Sequence, residues 1–137
     1  MMLVDCACSK TVSREKWMDI FLISNTEEIK EEPEAVAFKF GPSKIYYSYK
    51  NVQIPIKIGN QQITIKVSIV KADIPMLLGT DVMEDLETKL DIKYRIFEVG
   101  RTGEKIQMIR TKSGHFGLVA QDNSFVNQIF FTKDDTD

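Results

Sequence analysis

Val52, Ile54, Ile56 and Ile58 occupy every second position, Gly59-Asn60 follows, and Ile63, Ile65, Val67 and Ile69 resume the alternation. Successive side chains of a strand point to opposite faces, so this spacing places the apolar residues of each run on one face. Gly-Asn between two such runs is a hairpin turn signal. A long antiparallel hairpin with one apolar face must bury that face, so the chain has to be built around a β core. Pro55 has no N–H to give and belongs at an edge or where no ladder bond is needed.

The rest of the chain fits around that hairpin. Leu3-Val4 reads as the end of a strand. Ser13 is placed to cap a helix running through residue 23, on which Trp17, Ile20, Phe21 and Leu22 recur at near-helical spacing. Residues 26–34 are acidic and read as an exposed connection. Residues 36–40 alternate, break at Gly41-Pro42-Ser43, and resume as a strand over 44–49. Ile74-Pro75-Met76-Leu77-Leu78-Gly79 contains a short buried strand. Thr80 or Asp81 then caps a short helix to about Glu87. Further strands are expected at 90–92 and 95–99, with weaker candidates at 106–109 and 115–119. Residues 134–137 read as a frayed tail.

A chain of 137 residues fits one domain and can bury a core without staples. A hydrophobic fraction of 43% with 28% charged residues is that of a globular protein. The net charge of -2 argues against a nucleic-acid surface, which calls for a basic excess. Cys6 and Cys8 are too close in sequence to favour the demanding geometry of a disulfide. No apolar run approaches the ~20 residues that span a bilayer, and the start is apolar for only a few residues before Asp5, unlike a secretory signal. The expectation is a reduced, intracellular, cytoplasmic protein without membrane contact.

The start, Leu3-Val4-Asp5-Cys6-Ala7-Cys8-Ser9-Lys10-Thr11-Val12, presents one carboxylate on a tight turn after an apolar strand. It resembles the active-site motif of aspartic proteases: two hydrophobic residues, Asp, Thr or Ser, Gly, a small residue, then Ser. Phe38-Lys39-Phe40-Gly41 resembles the start of a flap. Ala72-Asp73-Ile74-Pro75-Met76-Leu77-Leu78-Gly79-Thr80-Asp81 resembles the hydrophobic-Leu-Gly element before the last helix. Thr111-Lys112-Ser113-Gly114-His115-Phe116 resembles a stretch that follows the protease in transposon polyproteins. Together these make the chain similar to the retropepsin-like protease of a retrotransposon Pol polyprotein over roughly residues 2 to 119.

The resemblance implies a mostly-β acid-protease fold: a closed antiparallel barrel-like half with two short helices and one motif per chain. It implies a protease domain over residues 1–100, lacking an N-terminal strand, and an extension over 101–137 toward the next polyprotein region. The implied activity is that of an aspartic endopeptidase, in which Asp5 pairs with Asp5 of a second copy about a two-fold axis. Like charges held that close do not both ionise, so one carboxylate activates water and the other protonates the scissile carbonyl. Cys6, Ala7, Cys8 and Ser9 would form the active-site loop. Phe40, Gly41, Pro42 and Ser43 would form the flap over an extended polyprotein peptide, with Leu77, Leu78 and Gly79 supporting the loop from beneath. No metal and no organic cofactor are required, and action inside retroelement particles is compatible.

Two residues depart from the motif. Cys6 stands where Thr or Ser is usual, and a thiol is the weaker hydrogen-bonding group. Ala7 stands where Gly is usual. These departures keep open a second reading, an inactive remnant serving as a binding or dimerisation module. Other chemistries are weaker. Cys6, Cys8 and His115 lack a fourth zinc ligand and the usual spacing. His115 accompanies no nucleophile motif. Tyr46, Tyr47 and Tyr49 interleaved with Lys44 and Lys50 suit single-stranded nucleic acid, but a strand beside the flap explains them equally well.

Overall fold

The computed structural model describes residues 1–16, 29–40, 42 and 44–118. In chain order its elements are β1 (Met2–Val4), β2 (Val12–Arg14), β3 (Lys30–Pro33), β4 (Ala37–Lys39), β5 (Ile45–Tyr47), β6 (Lys50–Ile58), β7 (Gln61–Val70), β8 (Leu77–Leu78), helix α1 (Thr80–Asp85), β9 (Thr88–Asp91), β10 (Ile96–Val99), β11 (Glu104–Gln107), β12 (Ile109–Arg110) and β13 (Phe116–Leu118). The fold is mostly β, as expected.

The hairpin is β6–β7, with Val52 opposite Val67, Ile54 opposite Ile65 and Ile56 opposite Ile63. Val52, Ile54, Val67 and Ile69 have no exposed surface, and burying each such side chain stabilises the fold by roughly 1.5–3 kcal/mol. Gly59 turns the hairpin at φ +59°, where a residue without Cβ is unstrained. The Glu104 carboxylate accepts from the Asn60 N–H at 2.7 and 2.9 Å, pinning the turn. On its other side β6 pairs with β3 only from Lys50 to Gln53. Pro55 lies beyond the end of that neighbour, as its missing N–H requires.

Eight strands form one sheet in the order β12-β13-β1-β8-β2-β7-β6-β3. β8 lies between β1 and β2, parallel to the first and antiparallel to the second, and β2 runs parallel to β7. The sheet is thus mixed, two parallel pairs standing among the expected antiparallel ones. The parallel pairs arise because the chain returns to β1 and β2 by crossover from distant segments. β9, β10 and β11 form a separate three-stranded sheet, and β4–β5 a two-stranded hairpin.

Local expectations are partly corrected. Ser13 is a buried strand residue of β2, not a helix cap. Glu15 and Lys16 are helical, but the rest of that expected helix lies outside the described residues. The acidic connection contains β3, which is exposed along its length and forms an edge of the sheet. Helix α1 is capped by Gly79, which has no side chain to bond, and Asp81 stands in its first turn, accepting from the Val82 N–H at 2.8 Å as well as from Thr11 across the fold.

β1 also finds a neighbour absent from the expectation. β13 pairs with it antiparallel, Met2 opposite Leu118 and Leu3 opposite Gly117. The Met1 side chain packs where a Cβ at Gly117 would sit, so a larger residue there would have to displace it. The boundary drawn at residue 100 falls between β10 and β11, which pair along four residues. Ile106, Met108 and Leu118 belong to the same buried core as Leu3, Leu78 and Val99.

Candidate active site

Asp5 follows β1 directly, and the loop after it is fixed by backbone bonds to the β8–α1 junction. The Asp5 N–H donates to the Leu78 carbonyl at 3.0 Å, and the Thr80 N–H donates to the Cys8 carbonyl at 2.8 Å. The loop closes on itself where the Cys8 N–H meets the Asp5 carbonyl at 3.2 Å. Asp5 Oδ1 accepts from the Ala7 N–H at 3.0 Å, which orients the carboxylate. Asp5 remains partly exposed, and Cys6, Ala7 and Ser9 are exposed.

Below the loop, Thr11 has no exposed surface. Its hydroxyl donates to Asp81 Oδ1 at 2.8 Å and accepts from the Gly79 N–H at 3.0 Å. The Thr11 N–H lies 3.1 Å from both Asp81 oxygens. Gly79 is the point of closest approach: a Cβ there would lie 2.6 Å from the Lys10 carbonyl carbon and 2.8 Å from the Cys8 oxygen. Leu77 and Leu78 are buried in β8, alongside β1.

The β4–β5 hairpin lies over this loop. Residues 36–40 and the loop residues Asp5, Ala7, Cys8, Ser9 and Lys10 line one cleft of about 310 Å³. Phe38 is buried, stacks on Phe40 with centroids 6.0 Å apart, and Phe40 meets Tyr46 at 5.8 Å. An aromatic cluster thus roofs the space beside Asp5. The Phe40 N–H donates to the Lys44 carbonyl at 3.2 Å, closing the hairpin. Pro42 is exposed at its tip; Gly41 and Ser43 lie outside the described residues.

The two thiols differ. Cys6 turns away from the cleft into a second groove of about 280 Å³ with Thr80, Met83 and Leu90. Cys8 donates to the Lys10 carbonyl at 2.9 Å. Burial, reinforced by the negative charges of Asp5 and Asp81, pushes the Cys8 thiol above its usual range. It is a protonated packing residue, not a nucleophile. His115 sits in a tight turn where its Nδ1 is 2.8 Å from Ser113 Oγ. Among the described residues no cluster of three His, Cys, Asp or Glu side chains is placed to hold a metal ion.

Sequence reading missed a polar cluster at the base of the β4–β5 hairpin. Ser48 Oγ donates to Glu34 Oε1 at 2.6 Å and Asn51 Nδ2 donates to Oε2 at 2.9 Å. Ser48, Asn51 and Ser68 are all buried. Asn51 and Ser68 are register partners on β6 and β7, but in sequence they occupy the polar phase of the alternation and read as solvent-facing.

The fold is retropepsin-like. A solved structure of similar fold is EIAV protease complexed with the inhibitor HBY-793, with a TM-score of 0.50 over 66% of this chain and 80% of that chain. The two share 15% sequence identity, so the likeness carries the fold alone. No family model matches the sequence, and no curated protein is similar to it. No helix among the described residues is long and apolar enough to cross a membrane.

Proposed function

We propose that this chain is an aspartic endopeptidase of a retroelement polyprotein, working as a homodimer. One observation carries the reading: Asp5 stands at the end of β1 with its carboxylate oriented by the Ala7 N–H and open to the roofed cleft. A single Asp5 is half of the chemistry, since peptide hydrolysis needs one carboxylate to activate water and another to hold a proton for the carbonyl oxygen. A second copy related by a two-fold axis supplies the other, and the pair then titrates as a unit. An extended peptide would lie between the loop and β4–β5, its backbone bonded to strand edges and its apolar side chains against Phe38 and Phe40. Lys10 and Lys39 line the same cleft and favour an acidic residue in the peptide. We take the active domain to run through Leu118, a reading supported by the pairing of β13 with β1. The two free thiols agree with action inside a cell.

The test is cleavage of polyprotein-derived peptides at mildly acid pH, comparing the full chain with Asp5→Asn. We expect pepstatin-sensitive cleavage in the native chain and a loss of about 10²–10⁴-fold in the variant, the range for removing a general acid–base group. Equal cleavage by both would sink the assignment.

A second reading rests on Cys6. Its thiol points into the groove beside α1 and makes no hydrogen bond among the described residues. A loop held without a hydroxyl at that position favours a dimerising scaffold without peptidase activity. A folded dimer that cleaves nothing would select it.

A further inference from the structure

The flap hairpin has a hinge, and one carboxylate holds it. Pro33 pairs with Lys50 at the end of β3–β6, and Ala37 with Tyr47 at the start of β4–β5. Between those pairs three residues, 34–36, face two, 48 and 49. One extra residue on one strand is a bulge, which bends the ribbon and re-aims the strands beyond it. Here it turns β4–β5 away from the main sheet and over Asp5.

The bulge is stitched by Glu34. Its N–H donates to the Tyr49 carbonyl at 3.2 Å, and its side chain takes the Ser48 hydroxyl and the Asn51 amide. The Ser48 hydroxyl in turn accepts from the Val36 N–H at 3.0 Å, and the Ser48 N–H donates to the Val36 carbonyl at 2.9 Å. Ser68 on β7, the register partner of Asn51, is buried beside this cluster. The Ser68 N–H donates to the Thr11 carbonyl at 2.9 Å, and Thr11 grips Gly79 and Asp81 beneath the Asp5 loop. Asn51 and Ser68, paired in register, and Thr11 therefore stand between the hinge and the floor of the site.

We infer that Glu34 is a positioning residue: its carboxylate latches the bulged hinge so that β4–β5 is held over the Asp5 cleft. The assignment of that cleft to a peptide rests on the function proposed above; the latch itself does not.

The charges around Glu34 set its pH response. Lys10 is the charged group acting on it from the Asp5 loop. Ser48, Asn51 and Ser68 are neutral, and Lys50 on β6 is paired with Glu31 at 3.2 Å. Burial alone would raise the Glu34 carboxyl, but Ser48, Ser68 and Asn51, with Lys10, outweigh it and hold it below its ordinary value of 4.5. A depressed carboxyl stabilises the folded latch above the ordinary value and loses that contribution as pH falls through the lowered one. The latch is thus closed at mildly acid pH and opens in stronger acid.

The experiment is amide hydrogen exchange on the full chain carrying Asp5→Asn, so that no peptidase activity is needed. In Glu34→Gln, protection of the Val36 and Ser48 amides should fall about tenfold, the loss expected for a hydrogen bond to a charged group, while Ile54 and Ile65 in β6–β7 hold theirs. Lowering the pH below the carboxylate range should reproduce the fall in the parent and leave Glu34→Gln unchanged. Ser48→Ala should mimic Glu34→Gln at Val36, and it carries the test if Glu34→Gln does not fold. Unchanged protection at the hinge, or an equal fall throughout β6–β7, overturns the latch. In the chain with Asp5 intact, Glu34→Gln should raise KM several-fold with kcat little changed. Absence of peptidase activity in both chains would refute the proposed function while the exchange result still decided the latch.

Discussion

At the residue scale, position in the hydrogen-bond scheme separates side chains that look alike in sequence. Thr11 and Ser9 are neighbouring hydroxyls in one loop. Thr11 is wholly buried and satisfies both Gly79 and Asp81, whereas Ser9 is exposed. Thr11→Val should therefore cost about 1–3 kcal/mol, the penalty for leaving buried partners unpaired, while Ser9→Ala should stay within about 0.5 kcal/mol. Urea unfolding of the two variants measures the difference; equal midpoints would show that the Thr11–Asp81 clasp contributes nothing. The place of Asp5 at the end of β1 was legible from local sequence alone, because an apolar strand ending in one carboxylate and small residues is a local pattern. Asp81 was legible only as a helix cap, since nothing local shows that its partner lies seventy positions earlier.

At the element scale, the β6–β7 hairpin is the clearest case of sequence deciding structure. Alternation, turn residues and the place of Pro55 outside the described β3–β6 pairing agree with one another, and such agreement specifies a register. β13 is the opposite case. Phe116-Gly117-Leu118 is too short to show a period, yet it covers the edge of β1 where the resemblance called for an upstream strand. An uncovered edge strand is an invitation to mispairing. A chain ended after residue 118 should therefore keep a cooperative thermal transition. One ended after residue 100 should lose the cooperative transition, because it strips β11, β12 and β13 from the core and exposes Met2 and Leu3. Circular dichroism melting of the two chains checks this. A cooperative melt from the shorter one would return the boundary to residue 100.

At the scale of the whole molecule, each chain carries one Asp5 beneath one β4–β5 hairpin, so the proposed carboxylate pair needs a second copy. If the proposed dimer is the working unit, specific activity should fall on dilution through the dissociation constant, and sedimentation equilibrium should place the midpoint of self-association at the same concentration. Activity per chain that is independent of concentration would exclude a shared dyad. What the sequence determined by itself is whatever a short window encodes: the alternating hairpin, the strand-Asp-small turn and the Leu-Leu-Gly element before α1. Each depends on the period of one strand or the chemistry of one turn. What only the tertiary structure decided is whatever joins distant segments: β8 between β1 and β2, β13 on the edge of β1, the Thr11–Asp81 clasp and the Glu34 hinge. Those pairings are fixed by burial and by the hydrogen bonds that buried polar groups call for, and these conditions exist only once the chain has closed on itself.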